Sequence, residues 1–352
     1  MRSALLLGTI LLACGGSEPA AGMGETSGSS SGSADATTTE ASGSSTAAET
    51  SGGETSGEVT SSSTGGDASS SSGGEVSGCE ATPVEPGEYV GLQVEHDGML
   101  RNYNLFVPEG YDGSTQTPVV LNFHGFGSNA AQQTFFSDLN VDAQERGMIA
   151  VYPNGVENAW NAGACCGKAA TGGIDDVGFV RALLDEVSQT LCIDHERVYA
   201  TGMSNGGFFS HRLACDAADI ITAVGPVAGP LGLADEDCQP TRPVPIIHFH
   251  GTADEVVPYE GNGGGFPAVE PSLQGWAERN GCNPKSELTL EMDDVSCQTW
   301  NECDQDASVT LCTIDGFGHC WPGQEFCLSG ESTLTIRANA MMLDLFEQHT
   351  LQ

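Results

Sequence analysis

Ser204 lies in Thr201-Gly202-Met203-Ser204-Asn205-Gly206-Gly207, with a glycine two residues to either side. Residues 197–200 before it are strand-like, and residues 208–215 after it are helix-like. A serine on such a strand-to-helix turn needs those glycines, because the strained backbone has little room for side chains. The turn lifts the hydroxyl above a sheet and near the positive end of the next helix. That is the setting of a nucleophile.

A serine hydroxyl is a weak nucleophile until a base takes its proton. Downstream, Gly316-Phe317-Gly318-His319-Cys320-Trp321-Pro322-Gly323 puts His319 in a glycine-flanked loop. His250-Gly251-Thr252-Ala253-Asp254 follows an apolar strand and puts Asp254 at its C-terminal end. The order serine, acid, histidine is that of the α/β-hydrolase fold. His319 is expected as general base and then general acid, with Asp254 orienting its ring. Acyl transfer also needs donors for an oxyanion. The backbone N–H of Asn205 is one candidate. The N–H of Phe126, in His124-Gly125-Phe126-Gly127 after an early strand, is the other.

Rivals exist for several roles. Asp175, Asp176 and Glu255 are other candidate acids, and Asp254 could serve as a turn residue. The first two sit at a helix start, where capping explains them better. His248 and His250 alternate on a strand, but no fuller metal-binding pattern surrounds them, so no metal and no cofactor is expected. His96, His195, His211 and His349 have no motif and read as surface or packing residues. Trp160 and Trp321 are expected as substrate contacts on loops at the C-terminal edge of the sheet, where an indole can stack on an aromatic acyl group or a sugar.

Alternating strands and helices must position these residues. Strands are read at 90–94, 103–107, 118–123, 148–152, 197–200, 223–227, 244–249 and 309–314. Helices are read at 138–146, 175–191, 208–215, 272–279 and 334–348. The buried apolar strands imply a mostly parallel central sheet with helices on both faces. The fold class is therefore α/β, with an α/β-hydrolase architecture and disulfide-stapled loops.

The 352-residue chain is not uniform. Residues 1–13 have a basic start and a short apolar run, as an export leader does. Leu11-Leu12-Ala13-Cys14 is similar to a bacterial lipobox, which marks Cys14 for lipidation. Residues 14–78 are rich in Ser, Gly, Thr and Glu, contain no Lys or Arg, and read as a flexible tether. Residues 79–352 read as one catalytic domain. The expected location is outside the cell or at the outer-membrane surface, with membrane contact only through Cys14, and the expected state is a monomer. A net charge of −37 with 11 basic residues argues against nucleic acid as a partner. Of 13 cysteines, the 12 beyond Cys14 read as a disulfide framework. Cys165 and Cys166 are adjacent and are expected to take different partners. Cys327, Cys165 and Cys166 are candidate partners for Cys320.

Six segments together resemble a known family: residues 202–207, His124-Gly125, Tyr152-Pro153-Asn154-Gly155, residues 176–180, residues 250–254 and residues 318–323. They are similar, in order, to the poly(3-hydroxybutyrate) depolymerases and feruloyl esterases, a group that overlaps carbohydrate esterase family one. The resemblance covers residues 87–348. It implies Ser204, Asp254 and His319 as the triad and disulfides near the site. The expected function is hydrolysis of feruloyl or acetyl esters of plant-wall polysaccharide fragments through an acyl-enzyme. The alternative substrate is poly(3-hydroxybutyrate) or its oligomers. A serine peptidase of the same fold and a non-catalytic binding protein are the readings from other classes.

Overall fold

The computed structural model describes Cys79, residues 84–263 and residues 265–351. The expected leader, Cys14 and the tether at 14–78 lie outside the described residues. The chain order is β1 (Gly87–His96), β2 (Met99–Val107), β3 (Thr117–Phe123), α1 (Ala130–Ser137), α2 (Leu139–Arg146), β4 (Ile149–Pro153), α3 (Gly167–Thr171), α4 (Asp176–Thr190), β5 (Ile193–Met203), α5 (Asn205–Asp216) and β6 (Ala223–Val227). Then come β7 (Ile246–Gly251), α6 (Val269–Arg279), β8 (Glu287–Met292), β9 (Val295–Trp300), β10 (Val309–Ile314), β11 (His319–Cys320), β12 (Cys327–Ser329) and α7 (Ala338–Phe346).

The main sheet runs β1-β2-β4-β3-β5-β6-β7-β10-β9-β8. Strands β4, β3, β5, β6, β7 and β10 pair in parallel. The hairpins β1–β2 and β8–β9 flank them antiparallel. With helices on both faces and a serine at the β5–α5 turn, this is an α/β-hydrolase fold. The sequence explains the layering. Side chains on a strand alternate between faces, and β3 is apolar on both. Val119, Leu121 and Phe123 join the core that contains Phe179 of α4, Phe209 of α5 and Trp276 of α6. Val120 joins the opposite core, with Leu139 of α2 and Met342 and Phe346 of α7. Parallel strands buried on both faces need such continuous apolar runs.

Disulfides join Cys79–Cys192, Cys165–Cys166, Cys215–Cys238, Cys282–Cys303, Cys297–Cys312 and Cys320–Cys327. The adjacent pair is therefore bridged to itself, contrary to expectation. Adjacency alone predicts separate partners; the local fold of the 160–167 loop brings the two thiols together instead. No helix among the described residues is long and apolar enough to cross a membrane.

Two other expectations need correction. Trp160 is fully buried. Its ring stacks on Phe209 at 5.2 Å and meets Phe123 edge-on at 5.1 Å. Its Nε1–H donates to the carbonyl of His124 at 2.9 Å. Trp321 is also buried, and its Nε1–H donates to Asn339 Oδ1 at 2.8 Å. A buried indole finds a partner for its N–H and fills volume. Both residues are packing elements, with no face left for a substrate.

Candidate active site

Ser204 joins β5 to α5 at φ 57°, ψ −121°. That region is costly for a residue with a side chain, of order 1–3 kcal/mol, and the surroundings hold it. Its N–H donates to Val227 O at 2.9 Å, and its carbonyl accepts from Phe208 N–H at 2.9 Å. The flanking glycines are required by close approach. A Cβ on Gly202 would lie 2.6 Å from Phe123 O, and one on Gly206 would strike the same oxygen.

Asn205 is the first residue of α5, so its N–H is among the amides a helix does not satisfy internally. Its side chain is anchored elsewhere. Oδ1 accepts from Trp160 N–H at 2.7 Å, and Nδ2 donates to Trp160 O at 3.0 Å. The turn after β3 passes over the serine. A Cβ on Gly125 would lie 3.4 Å from Ser204 Cβ and 3.9 Å from Oγ. His124 fixes this turn. Its Nδ1–H donates to Gly125 O at 2.8 Å, and its Nε2 accepts from Gly155 N–H at 3.0 Å. Burial pushes the His124 pKa down to about 4, so the ring is neutral and this tautomer is the one both bonds require. Phe126 packs against Gly167, where a Cβ would lie 2.6 Å from its ring. The Cys165–Cys166 bridge immediately precedes that contact.

Asp254 and His319 meet in the interior. His319 Nδ1 lies 2.7 Å from Asp254 Oδ2, and both side chains are buried. The other carboxylate oxygen accepts from the amides of Val256 and Val257, each at 2.8 Å. Burial alone raises the Asp254 pKa, but the hydrogen bond and charge of His319 outweigh it, with help from His250 and the Val257 amide. The net shift is downward, and the group is a carboxylate. The two loops are stitched together. Ala253 N–H donates to Phe317 O at 2.8 Å, and Gly316 N–H donates to Thr252 Oγ1 at 2.8 Å. His319 and Cys320 form β11, paired to β12 and bridged to it through Cys320–Cys327.

The rival carboxylates are engaged elsewhere. Asp175 caps α4, its Oδ1 accepting from Gly178 N–H at 2.9 Å. Asp176 forms a buried ion pair with Arg101 at 2.6 Å and accepts from Asn161 N–H at 2.7 Å. Glu255 is exposed. His248 and His250 bond to each other at 3.1 Å, and no group of three or more potential ligands among the described residues could hold a metal.

Sequence reasoning missed three features. Arg101 and its pairing were unread because a lone arginine in a strand carries no motif. The packing of His211 against His248 at 3.2 Å joins residues 37 apart. The third is a cluster of rings. Phe136 stacks on Phe326 at 5.0 Å, and Phe135 meets Phe326 edge-on at 5.9 Å. Phe135 is 68% exposed, on the helix that follows the Gly125 turn. Phe326 is adjacent to Cys327, whose Cα lies 4.6 Å from that of Cys320. The adjacent Phe135-Phe136 pair at the end of a helix with only a weak apolar stripe was the available signal.

Residues 101–237 match the family model described as Esterase PHB depolymerase. That span includes Ser204 and ends before Asp254 and His319. Feruloyl esterase B of Piromyces equi is 34% identical over 229 residues, 60% of this chain and 41% of that protein. The chain thus spans about two fifths of that relative. The putative esterase NocK of Nocardia uniformis subsp. tsuyamanensis is 28% identical over 268 residues, 70% of this chain and 78% of that protein. Among solved structures, the acetyl xylan esterase of Aspergillus awamori aligns with TM-score 0.48 at 13% identity, over 70% of this chain and 94% of that one.

Proposed function

We propose that this chain, which belongs to the poly(3-hydroxybutyrate) depolymerase and feruloyl esterase family, is a carboxylic ester hydrolase that works through a serine acyl-enzyme. The observation that carries the reading is the buried Asp254–His319 pair at 2.7 Å; Ser204, held at positive φ under the Gly125 turn, is the nucleophile this reading assigns to it. With Nδ1 committed to Asp254, Nε2 of His319 is the nitrogen left to take a proton. Ser204 Oγ attacks the ester carbonyl carbon as its proton passes to Nε2. The amides of Asn205 and Phe126 stabilise the oxyanion. The tetrahedral intermediate expels the alcohol, which leaves with that proton. Water then attacks the acyl-enzyme, giving its proton to His319, and the acid departs as Ser204 is restored.

The substrate we propose is a feruloyl or acetyl ester of a neutral plant-wall oligosaccharide. The relatives include a protein named as a feruloyl esterase. The chain's 11 basic residues against 48 acidic ones disfavour anionic polymers. Stacking, assigned from sequence to the two tryptophans, falls in this reading to Phe135, Phe136 and Phe326. Covalent geometry keeps the Phe326 Cα within about 12 Å of the His319 Cα, a span an aromatic acyl group can bridge. We also propose export, through the leader and Cys14 lipid; the six disulfides accord with an oxidising compartment.

Turnover of methyl ferulate, a short nitrophenyl ester and a hydroxybutyrate trimer tests the assignment. Hydrolysis of the first two with Ser204 acylated supports it. Faster cleavage of the trimer moves the substrate to polyester. Hydrolysis of amides at rates matching esters replaces the esterase with a peptidase.

A further inference from the structure

Behind Asp254 runs a line of three imidazoles that the proposed mechanism does not use. His248 and His250 sit two apart on β7 and so share a face. His211 reaches them from α5. His211 Nε2 lies 3.2 Å from His248 Nδ1, and His248 Nε2 lies 3.1 Å from His250 Nδ1. His250 Nε2 lies 2.8 Å from Val257 O and 3.5 Å from Asp254 Oδ2. All three rings are buried.

One end of this line fixes every proton in it. A carbonyl oxygen only accepts, so His250 Nε2 carries hydrogen and donates to Val257 O. Burial drives the pKa of His250 down to about 4 and that of His211 to about 3, and pushes His248 well below its ordinary value. The rings are therefore neutral, each with one N–H. His250 Nδ1 must then accept from His248 Nε2–H, and His248 Nδ1 must accept from His211 Nε2–H. His211 Nδ1 is left bare, and in the structure it has no hydrogen-bond partner. That unpartnered nitrogen is what this proton order requires at the far end.

We propose that His250 is a positioning residue for the Asp254 carboxylate, locked in its Nε2–H tautomer by His248 and His211. The Nε2–H of His250 holds the carbonyl of Val257, whose own N–H holds Asp254 Oδ1. The same N–H faces Oδ2, the oxygen that receives His319. The carboxylate is thereby fixed without a second cation, which would compete with the imidazolium formed at His319 during turnover. The alternative tautomer of His250 would turn a lone pair toward two oxygens and push the Asp254 turn away.

This role rests on the reading of Ser204, Asp254 and His319 as a triad, so its test has one arm independent of turnover. In the full chain with ¹⁵N-labelled histidine, NMR at neutral pH should show three neutral Nε2–H rings and a low-field proton between His319 and Asp254. Cationic rings, or Nδ1–H at His250, overturn the proposal. His248→Leu removes the donor to His250 at similar volume; His248→Gln keeps one donor and one acceptor. His248→Leu should shift or broaden the low-field proton and lower kcat for methyl ferulate about tenfold to a hundredfold, the scale of a small misplacement. KM should hold within about twofold. His248→Gln should recover both signals. A folded His248→Leu variant with the wild-type resonance and kcat overturns the proposal. A wild type that shows the resonance but cleaves no ester counts against the esterase, while the resonance in the two variants still decides the positioning role.

Discussion

Asn205 grips both sides of the Trp160 residue, accepting its N–H at 2.7 Å and donating to its carbonyl at 3.0 Å. The residue after the proposed nucleophile therefore holds the 154–166 loop, and the loop holds it. Asn205→Ala leaves the buried Trp160 N–H unpaired, at about 1–3 kcal/mol, while the Trp160 carbonyl keeps the N–H of Cys166 at 3.3 Å. The variant should melt several degrees lower and lose kcat, because the proposed oxyanion amide belongs to the same residue. Thermal melts with steady-state kinetics check this; unchanged Tm and kcat would refute the coupling.

The Cys320–Cys327 bridge closes the hairpin that carries His319. Replacing both cysteines by serine should remove roughly 2–3 kcal/mol, by the chain-entropy relation for so short a loop. Activity should fall while the core stays folded, as read by kcat and far-UV circular dichroism at one temperature. Full activity in the double variant would detach the bridge from the placement of His319.

Acid should unfold the protein early. The pKa values of His124 and His250 fall to about 4 and that of His211 to about 3, in each case mainly through burial, and His248 lies well below its ordinary value. Unfolded histidines titrate near about 6.5. Between those limits the unfolded chain binds more protons, so stability is present above the unfolded pKa and lost as pH falls toward the folded values. Four such rings give a slope on the order of 4–5 kcal/mol per pH unit near pH ~5. Lowered Asp254 acts in the same direction. Melts at neutral pH and near pH ~5 should differ steeply; a flat Tm would show that the rings are already charged when folded.

The tryptophans and phenylalanines should separate by effect. Trp321→Ala empties a packed site and should cost about 3–5 kcal/mol. Phe326→Ala, at a partly buried ring outside the two cores, should lower Tm less than Trp321→Ala does. It should lower kcat/KM for methyl ferulate several-fold and spare a short acetyl ester. Equal losses on both esters would remove the ring cluster from substrate contact.

The fold was legible wherever a strand was apolar on both faces, as at β3 and β6. Strand β8 went unread because it is an edge strand with mostly exposed side chains and carries no core pattern. Helix α1 escaped because its polar sequence, AAQQTFFS, has only a weak apolar stripe. The Asp254–His319 pairing was legible, and Ser204 could be proposed beside it, because glycines and turn residues mark their loops. The tryptophans misled, because loop position in a sequence does not reveal that a ring turns inward. The imidazole line was invisible for a similar reason: His211 on α5 meets His248 on β7 only through tertiary packing.

The most direct measurement is fluorophosphonate labelling of the wild type and of Ser204→Ala, with mass mapping and kcat on methyl ferulate. The account predicts label on Ser204 alone, none on the variant, and a drop in kcat on the order of 10⁴–10⁶ with Tm preserved. A folded Ser204→Ala variant that still turns over at the wild-type rate, or label on another serine, would contradict it.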